Sequence, residues 1–149
     1  MANHELSAAE WLDKAEAYCA RSEHCAADVR RKLYEWGTPT DFYDEILEKL
    51  YAMDFLDDTR FCQAYVHDKL EYQHWGRIKI QAGMRALQLP ENCICNALET
   101  IDRERYVEIL RDVAIRSGKT DSVLMRFLLQ RGFSYEEITH NLRIRHSFG

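Results

Sequence analysis

The stretch from Val29 to Leu50, VRRKLYEWGTPTDFYDEILEKL, decides the fold. Apolar residues stand at Val29 and Leu33, then again at Tyr43 and Leu47, a spacing of four on either side of a short joint. A spacing of four is close to one helical turn, so each pair lies on one stripe of a helix. Gly37 sits where a helix that ends in left-handed backbone needs glycine. The next helix is expected to start at once: Thr38 as the cap, Pro39 at the first helical position and Asp41 three residues after the cap.

The same pattern recurs twice without gaps. Ile80–Ile101 places Ile80, Met84, Ile94 and Leu98 at the corresponding positions, and Leu124–Arg145 places Leu124, Leu128, Ile138 and Leu142 there. Gly132 repeats the joint glycine, while Gln88 stands in its place in the middle copy, a worse residue for that backbone. Ser134 to Glu137 reads as a capping box. Each copy is preceded by another amphipathic segment, over 7–21, 57–70 and 102–117. The inner stripes of these segments are Trp11, Ala15 and Tyr18; Phe61, Tyr65 and Val66; and Tyr106, Ile109, Leu110 and Val113. The expectation is an all-α protein of three tandem three-helix repeats, residues 1–53, 54–101 and 102–149. A unit this short buries too little surface alone, so the repeats should stack into an elongated, curved array.

Composition agrees. Of 149 residues, 46% are apolar and 30% charged, enough for a core and for solubility, and two prolines and six glycines favour long helices over a turn-rich β fold. The net charge of −5 is uneven: residues 1–60 carry 14 acids against 7 Lys and Arg, residues 61–149 carry 11 against 13. Two faces with different partners follow from that split. Tight duplex binding by charge alone does not suit a net acidic chain. Five cysteines behind an acid-bearing N-terminus read as reduced thiols of a cytoplasmic protein, and no stretch has the ~20 apolar residues of a membrane span.

From Met53 to Phe61 the chain reads MDFLDDTRF, continuing into Ala64-Tyr65-Val66 and then Trp75-Gly76-Arg77-Ile78-Lys79-Ile80. With the upstream run Arg21 to Leu33, this resembles the RecX family, in which Leu56, Asp57, Asp58, Arg60, Phe61, Tyr65, Trp75 and Gly76 fall on the family motif. The resemblance implies a negative regulator of the RecA recombinase. Such a protein binds RecA filaments on single-stranded DNA and limits filament extension, strand exchange, ATP hydrolysis and co-protease activity. It further implies a place in DNA repair, recombination and the SOS response, the RecA filament as partner, weak or indirect contact with single-stranded DNA, and action as a monomer. Cys25 replaces the serine or threonine usual in the family, Met53-Asp54 a glycine-containing pair, and Gly83 a helix-favouring residue.

Catalytic chemistry has little support. Asp57 and Asp58 could hold Mg²⁺ or move protons, but between helices an acid more simply caps the next helix, and Arg60 can pair with it. Cys93 and Cys95 have the wrong spacing for zinc. No phosphate loop or nucleophile elbow is present. The expectation is no enzyme, no metal and no cofactor. The candidates for contact with RecA or DNA are basic: Arg77, Lys79 and Arg85 in the middle copy, where acids are sparse from Trp75 to Leu89; Arg30, Arg31 and Lys32 in the first; Arg126 and Arg131 in the third. Arg143, Arg145 and His146 add charge near the end. Two other functions share the pattern: a helix-turn-helix-like DNA binder, and a helical scaffold for an unrelated protein.

Overall fold

The computed structural model describes residues 5–145. His146 and the first four residues lie outside the described residues. Among those described there are nine α-helices, one short 3₁₀ turn and no strand. The helices are α1 (Ala8–Arg21), α2 (Ala26–Glu35), α3 (Tyr43–Ala52), α4 (Asp58–Glu71), α5 (Arg77–Ala86), α6 (Glu91–Glu99), α7 (Arg103–Ser117), α8 (Asp121–Gln130) and α9 (Tyr135–Asn141). They form three helical triplets in tandem.

The joints between the second and third helices of the triplets are alike in atomic detail. In each, the residue after the left-handed position donates its amide to the carbonyl five residues back: Thr38 to Leu33 at 2.9 Å, Leu89 to Met84 at 3.3 Å, Phe133 to Leu128 at 3.1 Å. The left-handed residues are Gly37 (φ 79°), Gln88 (φ 59°) and Gly132 (φ 99°). This is the Schellman closure, which satisfies helix-end carbonyls and buries an apolar contact across the turn. Gln88 adopts it despite its Cβ, at a cost of about 1 kcal/mol relative to glycine.

A first local expectation fails. Thr38 does not cap a helix. Pro39 is extended (ψ 134°), a 3₁₀ turn over Thr40–Phe42 follows, and α3 begins only at Tyr43. Thr38 is instead the buried closing residue of the joint, and its hydroxyl has no hydrogen-bond partner. Ser134 does form the capping box, accepting from the Glu137 amide at 3.0 Å while Glu137 Oε1 accepts from the Ser134 amide at 2.8 Å.

The chain divides into two compact units, residues 1–61 and 62–149. That boundary falls beside the place where the charge changes sign. In the first unit, Trp11, Ala15 and Cys19 of α1 pack with Val29, Leu33, Ile46, Leu47, Leu50 and Leu56. Cys19 takes the inner position expected of Tyr18, whose ring stacks on His24 at 3.9 Å. In the second unit the fully buried residues include Ile80, Met84, Ile94, Leu110, Leu128, Phe133 and Ile138. Gly83, a poor helix former, has a packing reason: a Cβ there would overlap the Tyr65 hydroxyl.

Candidate interaction surface

The motif acids and Arg60 act on the backbone and on each other. Asp57 accepts the Arg60 amide at 2.9 Å, capping α4. Asp58 accepts the Tyr51 hydroxyl at 2.8 Å. The Arg60 guanidinium meets Glu23 at 2.5 Å and the Asp54 carboxylate at 3.5 Å, and donates to the Asp54 carbonyl at 3.0 Å. Leu56 and Phe61 are buried. Among the described residues, no group of three or more His, Cys, Asp or Glu is placed to hold a metal. Four of the five cysteines are buried, and burial pushes the Cys19 thiol up to about 11.

The basic candidates separate into those with acid partners and those without. In the first unit Arg30 lies 3.7 Å from Asp44, Arg31 3.8 Å from Asp28, and Lys32 3.4 Å from Glu35. Surface pairs of this kind add little stability, but they cancel the local field. Arg85 is paired as well, its guanidinium donating to Glu91 at 2.8 and 3.3 Å, which holds the Glu91 carboxyl below the usual carboxylate range. Arg126 is exposed and forms no ion pair among the described residues.

Lys79 differs. Its ammonium lies 4.5 Å from the centroid of the Trp75 ring, and Lys69, at the end of α4, brings a second ammonium to 4.7 Å from the same ring. Neither forms an ion pair among the described residues. No acid occurs between Glu71 and Glu91. Glu71 itself is held by Arg105 at 2.7 Å, which lowers its carboxyl. Two cations therefore converge on one aromatic ring, and the acids that bound the acid-free stretch, Glu71 and Glu91, are already paired with Arg105 and Arg85. Ammonium–tryptophan contacts at exposed sites contribute roughly 0.5–1 kcal/mol each and fix where the charges stand.

The loop that carries Trp75 is held from the third repeat. The Arg131 guanidinium donates to the carbonyls of Gln73 at 2.6 Å and His74 at 3.3 Å. Helix α5 starts at Gly76 without a side-chain cap. Instead, three successive amides donate across to the third repeat: Gly76 to the Arg131 carbonyl at 2.8 Å, Arg77 to the Tyr106 hydroxyl at 3.0 Å, and Ile78 to the Gly132 carbonyl at 3.0 Å. The orphan donors of one helix end are thus satisfied by residues about 30 to 55 positions later. Gly76 and Gly132 are in backbone contact, and a Cβ at Gly76 would fall 2.3 Å from the Gly132 carbonyl carbon.

Tyr106 is the hub of this junction. Its hydroxyl accepts from the Arg77 amide and donates to Glu137 Oε1 at 3.1 Å, and burial raises its pKa well above an ordinary phenol's. Tyr106→Phe is expected to lower the stability of the second unit by about 2 kcal/mol, the cost of leaving the part-buried Arg77 amide without its acceptor and Glu137 with one donor fewer. Urea denaturation checks this, and an unchanged midpoint would remove the hydroxyl from the account. Arg77 belongs to the same junction, with its guanidinium 4.9 Å from the Tyr106 ring and Nε 4.0 Å from Glu137.

Comparison with known proteins agrees with these features. Residues 57–98 match the family model described as "RecX, second three-helix domain". The chain is 26% identical over 143 residues to "Regulatory protein RecX" of Clostridium acetobutylicum, covering 87% of this chain and 66% of that protein. With the protein of the same name from Chlorobaculum tepidum it shares 27% over 138 residues, 89% of this chain and 86% of that one. The crystal structure of RecX from Lactobacillus salivarius superposes with a TM-score of 0.75 at 21% identity, covering 89% of this chain and 92% of that one. The likeness to that structure is one of fold.

Proposed function

Because this chain belongs to the RecX family, a family of regulatory proteins, we propose that it is a negative regulator of the RecA recombinase. It binds RecA filaments on single-stranded DNA and limits their extension, and with it strand exchange, ATP hydrolysis and co-protease activity. The observation that carries the proposal at residue level is the pair Lys69 of α4 and Lys79 of α5 over Trp75, two cations without an ion pair among the described residues on a tryptophan whose loop Arg131 holds. Such a site suits an acidic surface or a phosphate backbone, and it should speed association in a salt-dependent way.

RecA-dependent ATP hydrolysis on single-stranded DNA, with this protein added below the RecA concentration, tests the reading. Hydrolysis should fall and filaments shorten. The variant Lys69→Glu with Lys79→Glu should need about 10- to 100-fold more protein for the same inhibition, while its melting curve stays in place. Arg77→Glu is a poorer probe, since it would set a carboxylate beside Glu137 and disturb the fold. If hydrolysis is untouched while the protein alone binds duplex DNA tightly, the helix-turn-helix reading replaces this one.

A further inference from the structure

The second unit holds a cleft of about 460 Å³ that the surface around Trp75 does not include. Its walls come from the first residue of α5, the first two turns of α7, and α9. The volume is within the usual range for small-ligand or side-chain pockets.

The deeper groups are already satisfied. Glu137 Oε1 accepts from both Tyr106 and Ser134, and the Tyr106 ring carries the Arg77 guanidinium. The rim is not satisfied. The Arg103 side chain is exposed and forms no ion pair or hydrogen bond among the described residues. Arg77 buries its Nε 4.0 Å from Glu137, but the rest of its half-exposed guanidinium makes no hydrogen bond among the described residues. The Glu136 carboxylate and the His140 ring line the same cleft and carry no side-chain partner there. Two guanidiniums with unused donors therefore share a concave site with one uncommitted carboxylate.

This charge pattern selects among ligands. A polyphosphate or nucleic-acid backbone would bring its charges against Glu136 and Glu137. A carboxylate of side-chain size can take the donors of Arg77 and Arg103, since guanidinium–carboxylate pairs are short and directional. A cationic group next to that carboxylate would complement Glu136. We propose that the cleft is a docking site for a protein segment in which an acidic residue is followed by a basic one. The acidic side chain lies between Arg77 and Arg103, and the basic one meets Glu136. This inference concerns a surface other than Lys69 and Lys79, and it stands or falls separately from RecA as the partner.

The test is a titration of the full ¹⁵N-labelled chain, followed by amide shifts, with acetyl-Ala-Glu-Lys-Ala-amide. Acetyl-Ala-Gln-Gln-Ala-amide and inorganic phosphate serve as comparison probes at equal concentration. Shifts confined to the amides of 103–107 and 136–141 are expected for the Glu-Lys peptide alone. Arg103→Glu should weaken that binding at least about tenfold. Arg103 is exposed at the first position of α7, where a glutamate favours the helix dipole, so the variant keeps its fold. Lys79→Glu should leave the titration unchanged. Glu136→Lys should shift the preference to acetyl-Ala-Glu-Glu-Ala-amide. The proposal is overturned if the Glu-Lys peptide moves no resonances there, if phosphate or the Gln-Gln peptide binds as well, or if Arg103→Glu binds like the native chain.

Discussion

Gly132→Ala is expected to unfold the second unit under conditions where the native chain is intact, at a cost of about 4 kcal/mol. Two effects add. Gly132 sits at φ 99°, where a side chain is strained. A Cβ there would also fall 2.4 Å from the Lys79 Cβ and 2.7 Å from its amide nitrogen, and backbone cannot yield as a flexible side-chain tip can. The equivalent glycine of the first repeat supplies the control. Gly37 has nearly the same backbone (φ 79°) but open space where its Cβ would go, so Gly37→Ala should cost only about 1 kcal/mol. Chemical denaturation of both variants gives the comparison. Equal losses would mean that the contact between Gly132 and the start of α5 does not bear on stability.

The second large effect concerns the third repeat as a whole. A chain ending at Ile101 is expected to lose order from α5 onward while the first unit remains folded. The amides of Gly76, Arg77 and Ile78 would lose all three acceptors. Those amides would meet water instead, a net loss of ~0.5–1.5 kcal/mol for each hydrogen bond, and together a large part of the 5–15 kcal/mol by which a typical domain is stable. The loop carrying Trp75 would also lose Arg131. Hydrogen exchange on the fragment decides the matter: protected amides at Ile80 and Met84 would show that the middle repeat stands alone, against this expectation.

Much of the fold could be read before the structure. The pairs Val29 and Leu33, Ile80 and Met84, Leu124 and Leu128 mark helices by spacing alone, and Gly37 and Gly132 mark the turns, because these signals are local. Thr38 misled because a threonine before proline has the composition of a cap, whereas the extended Pro39 passes the helix start on by several residues. The proposed contact surface was half legible. Lys79 stood out in an acid-poor stretch, but Lys69 did not, since only the turn between α4 and α5 brings it to Trp75. Arg131 and Arg77 read as surface charge. Their work at the junction depends on residues 57 and 29 positions away, which no periodicity encodes.

Arrays of repeats are generally pictured as folding one unit after another, each able to start the process. The start of α5 sets a different order. During synthesis the chain emerges from its N-terminus, and residues 1–61, a compact unit, need little beyond themselves and the rest of α4. Ile78 must wait for Gly132, and Tyr106 for Glu137. At ~5–20 residues per second the 54 residues from Ile78 to Gly132 take on the order of 3–11 s, during which Ile78 and Ile80 are out on a nascent chain with no finished helix end. For those seconds the middle repeat is a client for any holdase near the ribosomal exit, and a premature stop in the third repeat would leave it so permanently.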